Sequence, residues 1–260
     1  MDQTAASQFA TYPSLRGRIV LVTGGATGIG ASIVEHFARQ SAQVIFLDIQ
    51  DAAAGKLIER LSVRGVQPPV FLHCDLTETD AIAATVAQIE RQFDRIDVLV
   101  NNAGNDTRHT VAEVTSEYWD RCMATNLKQQ FFMARAVIPS MQRTSHGAIV
   151  NMSSIAWMIP STGLPVYVTA KAAIVGLTRT LAHELGPQNI RVNCVLPGAI
   201  LTERQRELWF TDEYKAEILS RQALKRLLLP EEVARLVLFL AADDSSGITN
   251  QSYIVDAGWI

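Results

Sequence analysis

Seven short apolar runs alternate along the chain with longer segments of helical periodicity, and this alternation restricts the fold more than any other feature of the sequence. The runs cover residues 18–23, 43–48, 70–75, 97–102, 147–152, 190–195 and 251–256. They are continuously apolar, which predicts strands that are buried on both faces. Residues 29–40, 81–93 and 167–185 carry apolar residues at intervals of three and four, which predicts helices. Strands separated by helices in this way predict a doubly wound α/β fold with a mainly parallel seven-stranded sheet and helices on both faces.

The chain of 260 residues is long enough for one sizeable core, and it contains no internal repeat and no Pro-, Gly- or Ser-rich linker. We therefore expect residues 17–260 to form a single domain. Residues 1–16 are expected to be a loosely held N-terminal tail.

Charge and composition exclude several classes of function. A net charge of −3, from 23 basic and 26 acidic residues, argues against a nucleic-acid partner. The sequence shows no signal peptide and no apolar run of membrane-spanning length, which predicts a cytoplasmic protein without a membrane partner. Three distant cysteines, Cys74, Cys122 and Cys194, fit reduced thiols that serve in packing. The five histidines show no metal-binding spacing, so no metal is expected.

A glycine-rich turn follows the first strand directly and precedes a helix, in the order Thr23-Gly-Gly-Ala-Thr-Gly-Ile-Gly30. Glycines permit a tight turn and a close backbone approach, while the free amides and the dipole of the helix attract a pyrophosphate. The pattern predicts a Rossmann-like dinucleotide site, although a tight turn without a ligand would give the same cluster.

Polar residues end three of the predicted strands, where ligands of such sheets bind. Asp48 lies 18 residues beyond Gly30, at the position of a carboxylate that accepts hydrogen bonds from a ribose. The same charge would repel a 2′-phosphate, and no cation follows it, so NAD is preferred over NADP. Asp48 can equally cap the following helix. Asp75 can hold the amino group of an adenine or cap the helix predicted at 77–93. Asn101 and Asn102 can bind ligand or stabilise a turn.

Tyr167 and Lys171 are four residues apart in a predicted helix, so their side chains share a face. Oxidation of an alcohol needs a base, and a tyrosine with a pKa of about 10 is too weak unless a cation lies nearby. One charge at about 4 Å and an effective dielectric of about 20 is worth roughly 4 kcal/mol, which lowers the pKa by roughly three units. Ser154 would bind the substrate oxygen, and Asn126 would support a water through which the proton leaves. Taken alone, the tyrosine and lysine are equally compatible with a solvated surface pair.

Together these motifs, with Asn193-x-x-x-Pro197-Gly198, resemble the short-chain dehydrogenase/reductase family over nearly the whole chain from about residue 15. The resemblance implies an oxidoreductase with Asn126, Ser154, Tyr167 and Lys171 as catalytic residues, and a homotetramer. It implies that cofactor is bound by Gly24, Thr27, Gly28, Ile29, Gly30, Asp48, Ile49, Asp75, Leu76, Asn101, Ala103, Gly104, Tyr167, Lys171, Pro197, Gly198, Ile200 and Thr202. Residues 202–224 follow the sixth strand and are expected to form a mobile lid over the cofactor. The apolar character of the helix that contains Tyr167, and that of the segment 233–240, is explained equally well by contacts between subunits and by packing in the core.

A narrower resemblance, to bacterial aldose 1-dehydrogenases, lies in Gly104-Asn-Asp-x-Arg-His109, Glu117-Tyr-Trp-Asp120, Arg204-Gln205, Trp209 and Asp256-Ala-Gly-Trp259. It implies oxidation of the anomeric hydroxyl of a monosaccharide to a lactone, with NAD as acceptor. We expect Asn105, Ser154, Trp157, Tyr167, Gln205 and Trp209 to contact substrate, the tryptophans stacking on its C–H face. Asp106, Arg108, His109 and Arg204 offer further hydrogen-bonding groups to a polyol. Thr107, residues 156–158 and Ile260 depart from the sugar-enzyme pattern and leave the particular sugar open.

Two other functions are compatible with parts of this pattern. One is another reaction of the same family, on a secondary alcohol or a 3-oxoacyl substrate. The other is a dinucleotide-binding protein without chemistry, against which the presence of both Tyr167 and Lys171 argues.

Overall fold

Seven parallel strands form one sheet, in the order β3-β2-β1-β4-β5-β6-β7, in the computed structural model, which describes residues 9–209 and 211–260. The strands are β1 (Ile19–Thr23), β2 (Gln43–Asp48), β3 (Val70–His73), β4 (Val98–Asn101), β5 (Gly147–Met152), β6 (Ile190–Pro197) and β7 (Ser252–Val255). Val20 on the interior strand β1 is paired with Val44 on one side and with Val98 on the other. The predicted fold class is therefore confirmed.

Helices connect the strands and cover the sheet. They are α1 (Gly28–Arg39), α2 (Asp51–Val63), α3 (Thr79–Phe93), α4 (Ser116–Met123), α5 (Gln129–Thr144), α6 (Pro165–Leu185), α7 (Glu203–Leu208), α8 (Asp212–Arg221) and α9 (Pro230–Ala241). A π-helical turn, Ala124–Lys128, joins α4 to α5.

Successive residues of each strand enter different cores because side chains alternate across a sheet. Val20 and Val22 pack under α1, α2 and α9, whereas Ile19 and Leu21 pack under α3, α5 and α6. Both faces of β1 and β4 are consequently dry, and the one polar residue of each strand, Thr23 or Asn101, is its last. Segment 233–240 of α9 supplies buried residues to the first of these cores, so packing within the chain accounts for its apolar character.

The strand order reverses at β1. The chain runs from β1 outward to β2 and β3, then returns to β4 on the opposite side of β1. The loops after β1 and β4 therefore diverge and leave a crevice at the carboxyl edge of the sheet, where ligands of doubly wound sheets bind.

Several element boundaries differ from those predicted. β3 ends at His73 and β4 at Asn101, so Asp75 and Asn102 belong to the following loops. β6 continues two residues further than predicted, to Pro197. The predicted lid, 202–224, contains the two short helices α7 and α8, and its mobility stays a prediction.

The described part of the predicted tail is packed against the domain. Pro13–Leu15 form a 3-10 turn, Leu15 is fully buried, and the Tyr12 N–H donates to Oε1 of Gln40 at 2.7 Å. The expectation of a loose tail is thus wrong for residues 12–15, while residues 1–8 lie outside the described residues. The packed domain therefore begins before residue 17, because Leu15 belongs to the same core as residues of α1 and α9.

Among residues 9–209 and 211–260, the helices are too short or too polar to cross a bilayer. The three cysteines are buried and free.

Leu15→Ala is expected to lower the free energy of unfolding by about 2–5 kcal/mol, because it removes a fully buried side chain and leaves a cavity. Val63, which is 84% exposed, supplies the control, since Val63→Ala should change stability by less than about 0.5 kcal/mol. Urea unfolding measures both. Equal midpoints for Leu15→Ala and the unmodified protein would place residue 15 outside the cooperative core.

Candidate active site

A cleft of about 1320 Å³ lies at the carboxyl edge of the sheet, between the loops that follow β1 to β6. Most of the predicted site residues line it. These are Gly24, Thr27, Gly28, Ile29, Gly30, Asp48, Ile49, Asp75, Leu76, Ala103, Gly104, Asn105, Ser154, Tyr167, Lys171, Pro197, Gly198, Ile200, Thr202 and Gln205.

The glycine-rich turn presents the start of α1 to this cleft. Gly28 has a φ of +56°, a conformation that favours glycine, and a Cβ on Gly30 would overlap the carbonyl oxygen of Gly24. The N-cap residue Thr27 makes no side-chain capping bond, and the first turn holds no acidic residue. Backbone N–H groups at a helix start lack partners within the helix. The cradle therefore fits the pyrophosphate of a nicotinamide dinucleotide.

Asp48 joins the end of β2 to this turn. Its Oδ2 accepts a hydrogen bond from the Ala26 N–H (2.9 Å), and its Oδ1 accepts from the N–H groups of Ile49 (2.8 Å) and Gln50 (3.0 Å). The carboxylate thus ties the glycine turn to the residues before α2. Both N–H groups precede α2, so Asp48 orders the residues before the helix rather than capping it. The bond to Ala26 leaves a lone pair of Oδ2 that can accept from a ligand hydroxyl.

Asp75 faces the cleft from the loop after β3. Its Oδ1 accepts hydrogen bonds from the Thr77 hydroxyl (2.7 Å) and N–H (2.9 Å), and these bonds hold the pKa of the carboxyl below its usual value. The helix α3 starts later, at Thr79, so Asp75 stabilises a turn before the helix rather than capping it directly.

Asn101 is a correction to the predicted cofactor site. Its side chain is fully buried, does not line the cleft, and donates to Oδ1 of Asn151 on β5 (2.9 Å) and to the carbonyl of Gln130 (3.2 Å). The neighbouring Asn102 lines the cleft and donates to the carbonyls of Thr23 and Gly24. Asn101 is still within β4, so its side chain faces the interior.

Ser154, Tyr167 and Lys171 come together at the base of the cleft. The Ser154 hydroxyl hydrogen-bonds the Tyr167 phenol, and the Nζ of Lys171 lies 5.5 Å from the centroid of the Tyr167 ring. Lys171 is buried, and its Nζ donates to the carbonyl oxygen of Met152 at 2.9 Å. The helical spacing of four therefore places both side chains on one face, as predicted from the sequence.

Electrostatics at Tyr167 differ from the prediction. Burial raises the pKa of Tyr167, and the Asp106 carboxylate raises it further, outweighing the hydrogen bond from Ser154 and the charge of Arg108. Burial also lowers the pKa of Lys171 to about 8. Desolvation outweighs the gain expected from the ammonium, so the protein alone keeps the phenol protonated at neutral pH.

Asn126 lies in the π-helical turn and is buried. Its Oδ1 accepts from the Asn105 N–H (2.8 Å), while its Nδ2 donates to the carbonyls of Asn105 (3.1 Å) and Cys122 (3.0 Å). The side chain thus holds the loop after β4 in place. Its role in supporting a water stays a prediction.

The loop after β4 is fastened to α7 across the top of the cleft. Nε2 of Gln205 donates to Oδ2 of Asp106 (2.6 Å), and Nε of Arg204 lies 3.5 Å from Oδ1 of the same carboxylate. Nη2 of Arg204 also donates to Oδ1 of Asn105 at 3.3 Å. These groups surround the approach to Tyr167 with donors and acceptors.

Both predicted tryptophan contacts need correction. Trp157 does not line the cleft, because it packs against the buried cluster that contains Ile174 and Leu196. Trp209 lies outside the main cleft as well. Its ring is 5.4 Å from the guanidinium of Arg108, and the two line a side recess of about 290 Å³ with Tyr214.

Several contributors to the site were missed by sequence reasoning. The Met152 carbonyl that holds Lys171 is a backbone atom, which side-chain identity cannot reveal. Leu164 and Trp259 also line the cleft. Trp259 has a sequence signal, since it ends the Asp256-Ala-Gly-Trp259 motif. Among residues 9–209 and 211–260, no three His, Cys, Asp or Glu side chains are grouped so that they could hold a metal ion.

Comparison with known proteins extends over almost the whole chain. A family profile described as enoyl-(acyl carrier protein) reductase matches residues 24–260. The D-xylose 1-dehydrogenase of Caulobacter vibrioides is 50% identical over 250 residues, which cover 96% of this chain and 98% of that protein. A probable galactose dehydrogenase of Rhizobium meliloti is 47% identical over 247 residues, which cover 95% of this chain and 96% of that protein. A crystal structure of a 3-oxoacyl-[acyl-carrier protein] reductase with bound NAD, from Brucella melitensis, is 36% identical and superimposes with a TM-score of 0.86, covering 96% of this chain and 94% of that one.

In the absence of cofactor, Tyr167 is expected to remain a neutral phenol up to its ordinary pKa of 10.0, because burial disfavours the phenolate. The difference in phenolate absorbance between the unmodified protein and Tyr167→Phe, followed as a function of pH, measures this ionisation. A component assigned to Tyr167 that titrates near neutral pH would contradict the expectation.

Proposed function

The chain belongs to the short-chain dehydrogenase/reductase family, and from this premise we propose that it oxidises the anomeric carbon of an aldose with NAD and releases the aldonolactone. The observation that carries the proposal is the placement of Ser154, Tyr167 and Lys171 at the base of a cleft whose upper wall is polar. Two relatives at 50% and 47% identity are named for the oxidation of xylose and galactose.

Each catalytic side chain has a defined task in this reaction. The phenolate oxygen of Tyr167 accepts the proton of the anomeric hydroxyl, while Ser154 donates a hydrogen bond to the same substrate oxygen. Lys171 stabilises the phenolate with its positive charge, and Asn126 holds the loop that faces the substrate. When bound, oxidised nicotinamide accepts the hydride from the anomeric carbon and supplies a second positive charge. Loss of the proton and the hydride leaves a carbonyl group, which is that of the lactone.

The upper wall of the cleft favours a polyol over a fatty substrate. Asn105, Asp106, Arg108, Arg204 and Gln205 all reach the cleft and can exchange hydrogen bonds with sugar hydroxyls. An acyl chain would leave unused the donors and acceptors that these groups do not spend on one another, which is costly once water is excluded. The second candidate, reduction of a 3-oxoacyl substrate, is supported by the Brucella structure at the lower identity of 36%.

Asp48 supports NAD as the cofactor. Its carboxylate lines the cleft, and the residues that follow it, Ile49 and Gln50, carry no positive charge that would offset its repulsion of a 2′-phosphate. We also propose that Asp75 and Leu76 border the adenine, and that Pro197, Gly198, Ile200 and Thr202 border the nicotinamide.

We further propose a homotetramer in the cytoplasm, with residues 17–260 as its catalytic domain, against which residues 12–15 pack, and 202–224 as its lid. Exposed small residues on α6, Ala173 and Gly176, and the exposed Phe131 on α5 offer surfaces on which subunits can pack. The free cysteines fit a reducing compartment.

Incubation of the enzyme and NAD with a panel of pentoses, hexoses and 6-deoxyhexoses, with NADH absorbance as the signal, tests the proposed reaction. At least one aldose is expected to be oxidised. Tyr167→Phe should lower kcat by at least about 100-fold, because it removes the proton acceptor, with NADH binding retained. Turnover of a 3-oxoacyl thioester without turnover of any sugar would instead support the second candidate.

Asp48→Asn is expected to shift the ratio of kcat/KM for NADP to that for NAD upward by about tenfold or more, because it removes a charge that repels the 2′-phosphate. Asp75→Asn is the matched control, since it removes a charge elsewhere in the same cleft and should leave the ratio unchanged. Steady-state kinetics with both cofactors measure the ratio. An equal shift in both variants would make the overall charge of the cleft, rather than Asp48, responsible for the preference.

A further inference from the structure

The helix that carries Tyr167 and Lys171 lacks a conventional N-terminal cap. Its N-cap residue, Leu164, has no side chain that can accept a hydrogen bond, and Pro165 has no N–H. The Val168 N–H donates to the carbonyl of Leu164 at 2.9 Å. The Val166 N–H lies in a buried position, where an unsatisfied donor is costly, and therefore needs an acceptor from outside the helix.

His109 supplies that acceptor from the loop after β4. Its Nε2 accepts a hydrogen bond from the Val166 N–H at 3.3 Å, and its own backbone N–H donates to the carbonyl of Gly163 at 2.8 Å. The two bonds fasten the end of the loop to the first turn of α6. His109 is only 6% exposed and does not line the cleft, so its expected contact with a sugar is wrong.

The other ring nitrogen fixes the orientation of the imidazole. Nδ1 lies 2.9 Å from the carbonyl of Thr107 and 2.7 Å from the hydroxyl of Tyr118 on α4. Because Nε2 must be unprotonated to accept from Val166, the single ring proton is on Nδ1 and faces these two oxygens. The neutral Nδ1–H tautomer therefore satisfies the loop, α4 and α6 at once.

We propose that His109 is a positioning residue for the reaction. It caps α6 at Val166 and thereby fixes the position of the next residue, Tyr167, relative to the loop after β4, whose side chains face the substrate. This inference rests on the proposed function, since it assumes that Tyr167 is the base. The same loop carries Asn105, which Asn126 holds, and Asp106, which Gln205 contacts. A shift at His109 would consequently move the substrate-binding wall and the base relative to one another.

Two substitutions separate the capping contact from the remainder of the side chain. In His109→Gln, the amide oxygen reaches the position of Nε2 and can accept from the Val166 N–H. In His109→Asn, the shorter side chain reaches only the position of Nδ1 and leaves Val166 without an acceptor. Tyr118→Phe is the control, because it removes the hydroxyl at Nδ1 and leaves the cap intact.

The three variants are compared in kcat, KM for NAD, NADH binding by fluorescence, and amide hydrogen exchange of the first turn of α6. His109→Asn is expected to lower kcat by about 10- to 100-fold, because small displacements of a catalytic group are costly. NADH binding should remain unchanged, and exchange at the start of α6 should be faster. His109→Gln should restore most of kcat and the slow exchange, and Tyr118→Phe should resemble the unmodified enzyme.

Several results would overturn the proposal. Unchanged kcat in His109→Asn would do so, as would unchanged exchange in α6. Equal losses in all three variants, or a parallel loss of NADH binding and kcat, would show a general packing role instead. Tyr167→Phe is measured beside them with the best substrate of the panel. If that variant keeps full activity, the assignment of Tyr167 as the base fails, and this result is distinct from a failure of the cap.

Discussion

The burial of both faces of the parallel sheet is the constraint on which the rest of the structure depends. Helices cover β1 and its neighbours on both sides, so a polar side chain within a strand must find its partner inside the protein. The two ends of the strands meet this requirement differently. At the amino edge, Asp97 is neutralised by Arg95 and accepts a hydrogen bond from the Ile19 N–H, which satisfies the carboxylate within the chain. At the carboxyl edge, Asp48 accepts hydrogen bonds from nearby N–H groups and also lines the cleft. The chemistry is located where the loops diverge and the helices no longer cover the sheet.

Much of this arrangement was predictable because it depends on local spacing. Continuous apolar runs predicted the strands, with boundaries within two residues of those observed. The glycine turn predicted an uncapped helix start, and the interval of four between Tyr167 and Lys171 predicted a shared helix face. Each of these inferences needs only the geometry of one element and its neighbours. A strand end, a tight turn and a helical face keep that geometry in whatever fold contains them.

The errors concern residues whose environment depends on tertiary packing. Asn101 and Asn102 are adjacent and chemically identical, but only one points into the cleft, and a difference of one residue in the end of β4 decides which. Trp157 is an aromatic residue of the kind that stacks on sugars, yet it packs against the buried cluster that contains Ile174 of α6. His109 was grouped with the sugar-binding residues because it is polar and lies in a substrate loop. Its partner, Val166, is 57 residues away, and no local pattern reveals that contact.

The position of Lys171 explains why a nearby cation does not by itself make the Tyr167 phenol acidic enough to lose its proton at neutral pH. The Lys171 ammonium group is buried away from water, and its hydrogen bond to the Met152 carbonyl replaces only part of the hydration that it loses. Burial therefore lowers the pKa of the lysine and raises the pKa of the tyrosine, since both charged forms lose solvation. The Asp106 carboxylate, held over the cleft by Gln205, adds to the effect on the phenol. Asp106 thus connects α7, the loop after β4 and the acidity of the Tyr167 phenol.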